Sequence, residues 1–217
     1  MSPRYRDWLS YVFDRPVSSK GWYFDIDIAE FVADNTELVG LIADTMQHCG
    51  RDLAPFSDAQ VRHGLNYVFN NSCSDVVFSL KDESVPIASR LHALQSIKML
   101  YRDCFTSRCA TVLGHTSEPG ATPLNYICYM LWDMSPIARW EKARERMRFY
   151  EVISDVMADA LRSPNPACIE SALHGLGHIQ ADYPKAAEMI DTFLGRSTDL
   201  SPDLRAYAQQ ARVGRIQ

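Results

Sequence analysis

Ile169-Glu-Ser-Ala-Leu-His-Gly-Leu-Gly-His-Ile179 decides the fold, because the chain repeats its pattern twice more. Ile87-Ala-Ser-Arg-Leu-His-Ala-Leu-Gln-Ser-Ile97 keeps Ile, Ser, Leu-His, Leu and Ile in register 82 positions upstream (87 to 169). Ala206-Tyr-Ala-Gln-Gln-Ala-Arg-Val-Gly-Arg-Ile216 follows 37 positions downstream (169 to 206). In each copy apolar residues recur every three or four positions, the signature of a helix with one apolar face. Copies at these offsets define a unit of roughly 40 residues, enough for two helices and a turn. Such a pair buries its apolar face only against neighbouring pairs, so small residues recur where backbones touch.

The rest of the 217-residue chain has the same period and almost no strand-like alternation, so it reads as all-α. Pro3 to Phe13 makes a first helix that Asp14-Arg15-Pro16 stops. Trp22 to Ile28 is the one stretch that suits an extended arm, and is read as a loop entering a helix. A helical pattern then runs from Phe31 to Met46 with a break and new cap at Asn35-Thr36. Ser57 opens a helix that Asn70-Asn71-Ser72 ends, and Ser84-Pro86 opens another through Leu100. Gly114 to Pro123, with two Gly and two Pro, is the clearest loop. Beyond it helices are expected at about 124–133, 137–161, 166–181, 184–194 and 202–215, three of them with proline at the first turn. One domain spanning 1–217 is expected, with an acidic helical part at 1–83 and the repeat-bearing part at 84–217.

The last two copies resemble HEAT repeats, with an Ala/Leu-rich helix ending in Leu176-Gly177-x-Ile179 or Val213-Gly214-x-Ile216. The resemblance is clearest at 163–217 and weaker at 84–113. It implies an α-solenoid, a right-handed array of antiparallel helix pairs. The whole chain also resembles a family of uncharacterised bacterial proteins in Trp8 to Asp14, Ser57 to Leu65, Glu118 to Asn125 and Glu170 to His178. That resemblance implies a cytosolic bacterial protein and adds no catalytic residue.

Charge and composition exclude several function classes. The net charge of −5 comes from the N-terminal part, where seven bases face thirteen acids in residues 1–83. An acidic surface repels phosphate backbones, so no nucleic-acid partner is expected. The one basic run, Arg139 to Arg148, reads as a solvated helix face with internal ion pairs. The opening Met1-Ser2-Pro3-Arg4 lacks a secretion signal, and the longest apolar run, Tyr126 to Trp132, is far short of a membrane span. No membrane partner and a cytoplasmic location are therefore expected. Six scattered cysteines in a chain with its own core read as reduced thiols.

The sequence contains no nucleophile elbow, phosphate loop or dinucleotide fingerprint. His174 and His178, four apart on one helical face, are the candidate metal ligands. Glu170 extends that face but cannot join both histidines on one ion, since eight residues of helix span about 12 Å. The remaining ligands must come from elsewhere, such as His115 or a carboxylate of the central loop. His115 and Glu118 are that loop's polar handles. Trp22, Tyr23, Asp25 and Asp27 form an acidic aromatic cluster suited to a basic protein surface. The leading expectation is a non-catalytic protein-protein interaction module, an adaptor or a toxin-immunity-like protein, with another protein as partner and no cofactor. The alternative is a helical enzyme that uses a divalent metal at His174 and His178.

Overall fold

The helices begin where the sequence supplies caps. Ser2 accepts the Tyr5 N–H at 3.2 Å and opens α1 (Pro3–Phe13). Asp34 accepts the Glu37 N–H at 2.8 Å and opens α2 (Asn35–Gln47), and Ser57 with Gln60 forms a capping box at α4 (Asp58–Phe69). Each such side chain satisfies an N–H that a helix start leaves without a partner, and contributes about 1 kcal/mol. A short α3 (Cys49–Asp52) lies between α2 and α4. The next helix, α5 (Ile87–Met99), continues through a π-helical stretch, Leu100–Phe105, into a last turn α6 (Thr106–Arg108). After a connection come α7 (Pro123–Met130), α8 (Arg146–Ala160), α9 (Pro166–Ile179), α10 (Lys185–Arg196) and α11 (Pro202–Arg212). Short 3-10 turns lie at Trp22–Phe24, Val76–Lys81 and Pro136–Ala138. The computed structural model describes residues 1–18, 20–116, 119–140 and 142–216, and among these the chain is all-helical with no strand.

Helix α5 packs between α2 and α8, and α9 packs against α7, α8, α10 and α11, while α4 contacts α1 and α7. The buried apolar side chains from Tyr5 to Ala211 form one cluster. Helix α9 is enclosed on so many sides that Cys168, Ala172, Leu173 and Leu176 have no exposure at all. Its glycines make that possible. A Cβ on Gly175 would come within 2.7 Å of the Trp132 ring, and one on Gly177 within 3.2 Å of the Ala211 Cα on α11. The expectation that small residues sit where helices touch holds here.

Three local readings differ. Phe31 and Val32 lie outside α2, which starts only at its Asp34 cap, and Val32 is 82% exposed. Residues 139, 140 and 142–145 are irregular, and α8 starts at Arg146 rather than near 137. The reason is Trp140, whose ring stacks on Phe149 at 3.9 Å and 3°. Nine residues along a helix would separate the two by about 13 Å, so the stack requires a reversal of the chain. Finally, α11 ends at Arg212 and Gly214 takes φ 68°, whereas the matching Leu176-Gly177 lies inside α9. The third copy of the pattern is thus helical only in its first part. No helix among the described residues is long and apolar enough to cross a membrane, and all six cysteines are free.

Candidate metal centre

Enclosure forces the polar residues of α9 to find partners inside the protein, because a buried polar group without one costs several kcal/mol. Glu170, Ser171 and His174 all have zero exposure. Tyr101 Oη meets the Ser171 hydroxyl at 2.7 Å and accepts the Trp132 indole N–H at 2.8 Å. The Glu170 carboxylate accepts the Gly114 N–H at 2.6 Å, the His115 N–H at 3.0 Å and a hydrogen bond from the His115 ring. A buried carboxylate thereby holds the first residues of the central connection against α9.

The network continues toward the surface. The His115 ring stacks on Tyr207 of α11 with centroids 4.4 Å apart. The Tyr207 hydroxyl meets that of Tyr129 at 3.2 Å and hydrogen-bonds His174 Nδ1. On its other side His174 presents Nε2 to His178 Nε2 at 3.0 Å, and His178 Nε2 lies 3.2 Å from Asp133 Oδ1. One ligating atom from each of Asp133, His174 and His178 falls within 4.8 Å of the others.

Burial pushes the His174 imidazole down to about 4, and nearby His178 lowers it further against the opposing pull of Asp133. Burial also lowers His178, with Asp133 opposing and Arg139 adding to it. Burial raises the Tyr207 and Tyr129 phenols, which therefore stay protonated. In the tautomer whose Nδ1–H donates to the Tyr207 hydroxyl, the neutral imidazole has its Nε2 lone pair available, the state in which histidine binds metal. Two ligands about 2.0–2.1 Å from one zinc-class ion stand about 2.9–3.4 Å apart. Two of the three separations, 3.0 and 3.2 Å, fall in that window, and the third, from His174 to Asp133, lies within 4.8 Å. The side chains of His178 and Asp133 are 28% and 36% exposed, so the cluster opens to solvent on one side.

The structure thus brings His174 and His178 together and keeps Glu170 from them, as the helical spacing requires. His115, proposed as a further ligand, is bound instead to Glu170. Glu118 lies outside the described residues. Asp133 was missed: it stands three residues beyond α7 and 41 before His174, a distance across which no spacing rule operates. Trp22 and Tyr23 belong to an aromatic cluster at the N-terminal end. Trp22 is buried, with its ring 5.2 Å from Tyr11 and 4.8 Å from Tyr67, and Tyr23 packs beside it at 5.6 Å. Asp25 and Asp27 are exposed, and the Asp25 side chain accepts the Asp27 N–H at 3.0 Å, which joins them in one turn. No family model, no curated protein and no solved structure matches the chain.

Proposed function

We propose that the chain is a helical metalloprotein that holds one divalent ion of the zinc class between Asp133, His174 and His178. The convergence of these three ligating atoms within 4.8 Å carries the reading. Three protein ligands leave a coordination position toward solvent, where zinc lowers the pKa of a bound water to about 7. Hydrolysis of a polar substrate approaching the α7–α9 edge is the reaction class that follows. The consecutive packing of α8, α9, α10 and α11 supports reading this part as a HEAT-like array of helix pairs. The six free thiols suit a bacterial cytoplasm.

The test is the metal content of the untagged protein after dialysis against zinc-buffered solution. Near-stoichiometric zinc is expected in the native protein, and loss of it in Asp133→Asn and His178→Ala, whose side chains are exposed enough to leave folding intact. A native protein without zinc, or variants that retain it, would sink the proposal.

A second reading rests on a separate observation. Phe24, Ile26 and Val32 are 58%, 97% and 82% exposed, and they alternate with the carboxylates of Asp25, Asp27 and Glu30. Apolar anchors rimmed by acids suit a basic protein surface, as an adaptor or toxin-immunity-like protein requires. The double reversal Asp25→Lys/Asp27→Lys should slow association with such a partner and remove its salt dependence. Unchanged kinetics would end this reading.

A further inference from the structure

The basic run that resembles a helix face in the sequence instead walls a cavity. Arg139, Trp140 and residues 142–145 lie over the N-terminus of α5 and line a cavity of about 490 Å³ with Arg90, Phe149 and the first residues of that helix, Pro86 and Ile87. Of the described lining side chains, Lys81, Arg90, Arg139, Lys142 and Arg144 are basic and only Glu83 and Glu145 are acidic. Glu145 is already engaged by Arg148 at 3.0 Å. Glu141 lies outside the described residues. Lys81 is committed elsewhere, donating to the Pro136 carbonyl at 3.1 Å and to that of Arg139.

Arg90 is the informative member. It is only 7% exposed, its guanidinium lies 5.1 Å from the Phe149 ring centre, and its Nε–H has no hydrogen-bond partner. Among the described residues no carboxylate is in ion-pair contact with it, and Asp82 feels its charge only at longer range. A buried cation without a contacting counter-charge is costly, and its replacement by a well-packed apolar side chain is often neutral or stabilising. Its retention is accounted for when an anion enters the cavity. Two independent features agree. No side chain caps α5, and its first residues, Pro86 and Ile87, line the same space, which puts the positive end of the helix dipole beside it. The exposed Arg139, Lys142 and Arg144 add charge at the mouth.

We infer that this cavity is a binding site for a small molecule bearing a phosphate group, distinct from the metal cluster. The ring faces of Trp140 and Phe149 are occupied by one another, with Lys81 over the first and Arg90 over the second, so no aromatic face is left to stack a base. Recognition is of the phosphate, by the Arg90 guanidinium fork, with the helix dipole and the bases at the mouth adding positive potential. The volume is that of a small-molecule site.

The experiment is thermal unfolding and calorimetric titration of the full chain with inorganic phosphate, glucose 6-phosphate and, as the neutral control, glucose, at constant ionic strength. Both phosphates should raise Tm and bind, and glucose should do neither. Tighter binding of glucose 6-phosphate than of phosphate would mean that the rest of the ligand is also held. Arg90→Met, which keeps the stem against Phe149, should weaken phosphate binding at least about tenfold. It should also raise the Tm of the ligand-free protein. Full phosphate affinity in Arg90→Met, or no phosphate binding by the native chain at 10 mM, would overturn the assignment. Should Arg90→Met fail to fold, the exposed pair Arg139→Ala/Arg144→Ala decides. A severalfold loss supports the site, and unchanged affinity and salt dependence refute it.

Discussion

Helices α5 and α9 share a sequence pattern and live in opposite surroundings. His92 and His174 occupy the same position of the repeat, yet His92 is exposed and His174 is completely buried. Ala88, at the position of Glu170, faces solvent, whereas Glu170 has zero exposure and three hydrogen bonds. Helix α9 is held by a hydrogen-bond network that is buried except at Asp133 and His178. The end of α5 and the π-helical stretch that continues it are held by ion pairs to α8, Lys98 to Asp155 at 2.5 Å and Arg102 to Asp159 at 2.7 Å. The shared pattern therefore specifies a helix and its apolar stripe. What the other faces do is set by how many neighbours each helix acquires, and α9 has four where α5 leaves a flank in water.

The largest expected difference between the two helices comes from the clamp on the central connection. Glu170→Ala removes the acceptor of two backbone N–H groups and a histidine ring, and should cost about 3–5 kcal/mol in urea unfolding. A Glu introduced at the matched Ala88 should change stability by less than about 0.5 kcal/mol. Equal effects would show that the two helices are more alike than their burial indicates. Next in size, His174→Ala leaves the Tyr207 hydroxyl without its buried partner and opens a void. It should cost about 2–3 kcal/mol when measured in chelator, against less than about 0.5 kcal/mol for His92→Ala.

The smallest effect should belong to the ion pairs of α5, and it should depend on pH. Burial alone would raise the Asp159 carboxyl, but the hydrogen bonds and charges of Arg102 and Arg162 outweigh it and hold its pKa below the usual value. The group binds protons less readily in the folded state, so it contributes stability above the carboxyl's unfolded pKa of about 3.9 that is lost as pH falls through the lower folded value. With both arginines largely exposed, Asp159→Asn should cost only about 1 kcal/mol at pH 7. The difference from the native chain should close as the pH drops below about 4. A difference that stays constant to pH 2 would assign the cost to packing instead.

These contrasts also mark what was legible in the sequence. Caps and prolines were: Ser57, Asn165-Pro166 and Ser201-Pro202 start helices where their chemistry places them, because capping is local. The pairing of His174 with His178 was legible for the same reason, since four residues of helix fix their relation. Asp133, the His115–Glu170 bond and the Arg90 cavity were not, as each joins segments more than 40 residues apart. The run from Arg139 misled because its charges satisfy a helical period, whereas the stack of Trp140 on Phe149 that breaks it is a tertiary contact.

The π-helical stretch at Leu100–Phe105 acts as a spacer of fixed length. A π turn corresponds to one residue more than an α turn, so everything after it is rotated by about 100° from where a regular helix would place it. Arg108 emerges from that rotation onto the connection between α3 and α4, where it bonds the Leu53 carbonyl at 3.0 Å, the Phe56 carbonyl at 2.7 Å and Asp58 at 2.8 Å. Deleting a single residue here would make the helix more regular and carry Arg108 away from all three. The chain tolerates a local irregularity because it closes the N-terminal helices onto the rest of the molecule, so insertions and deletions in this stretch should be far less permissible than substitutions.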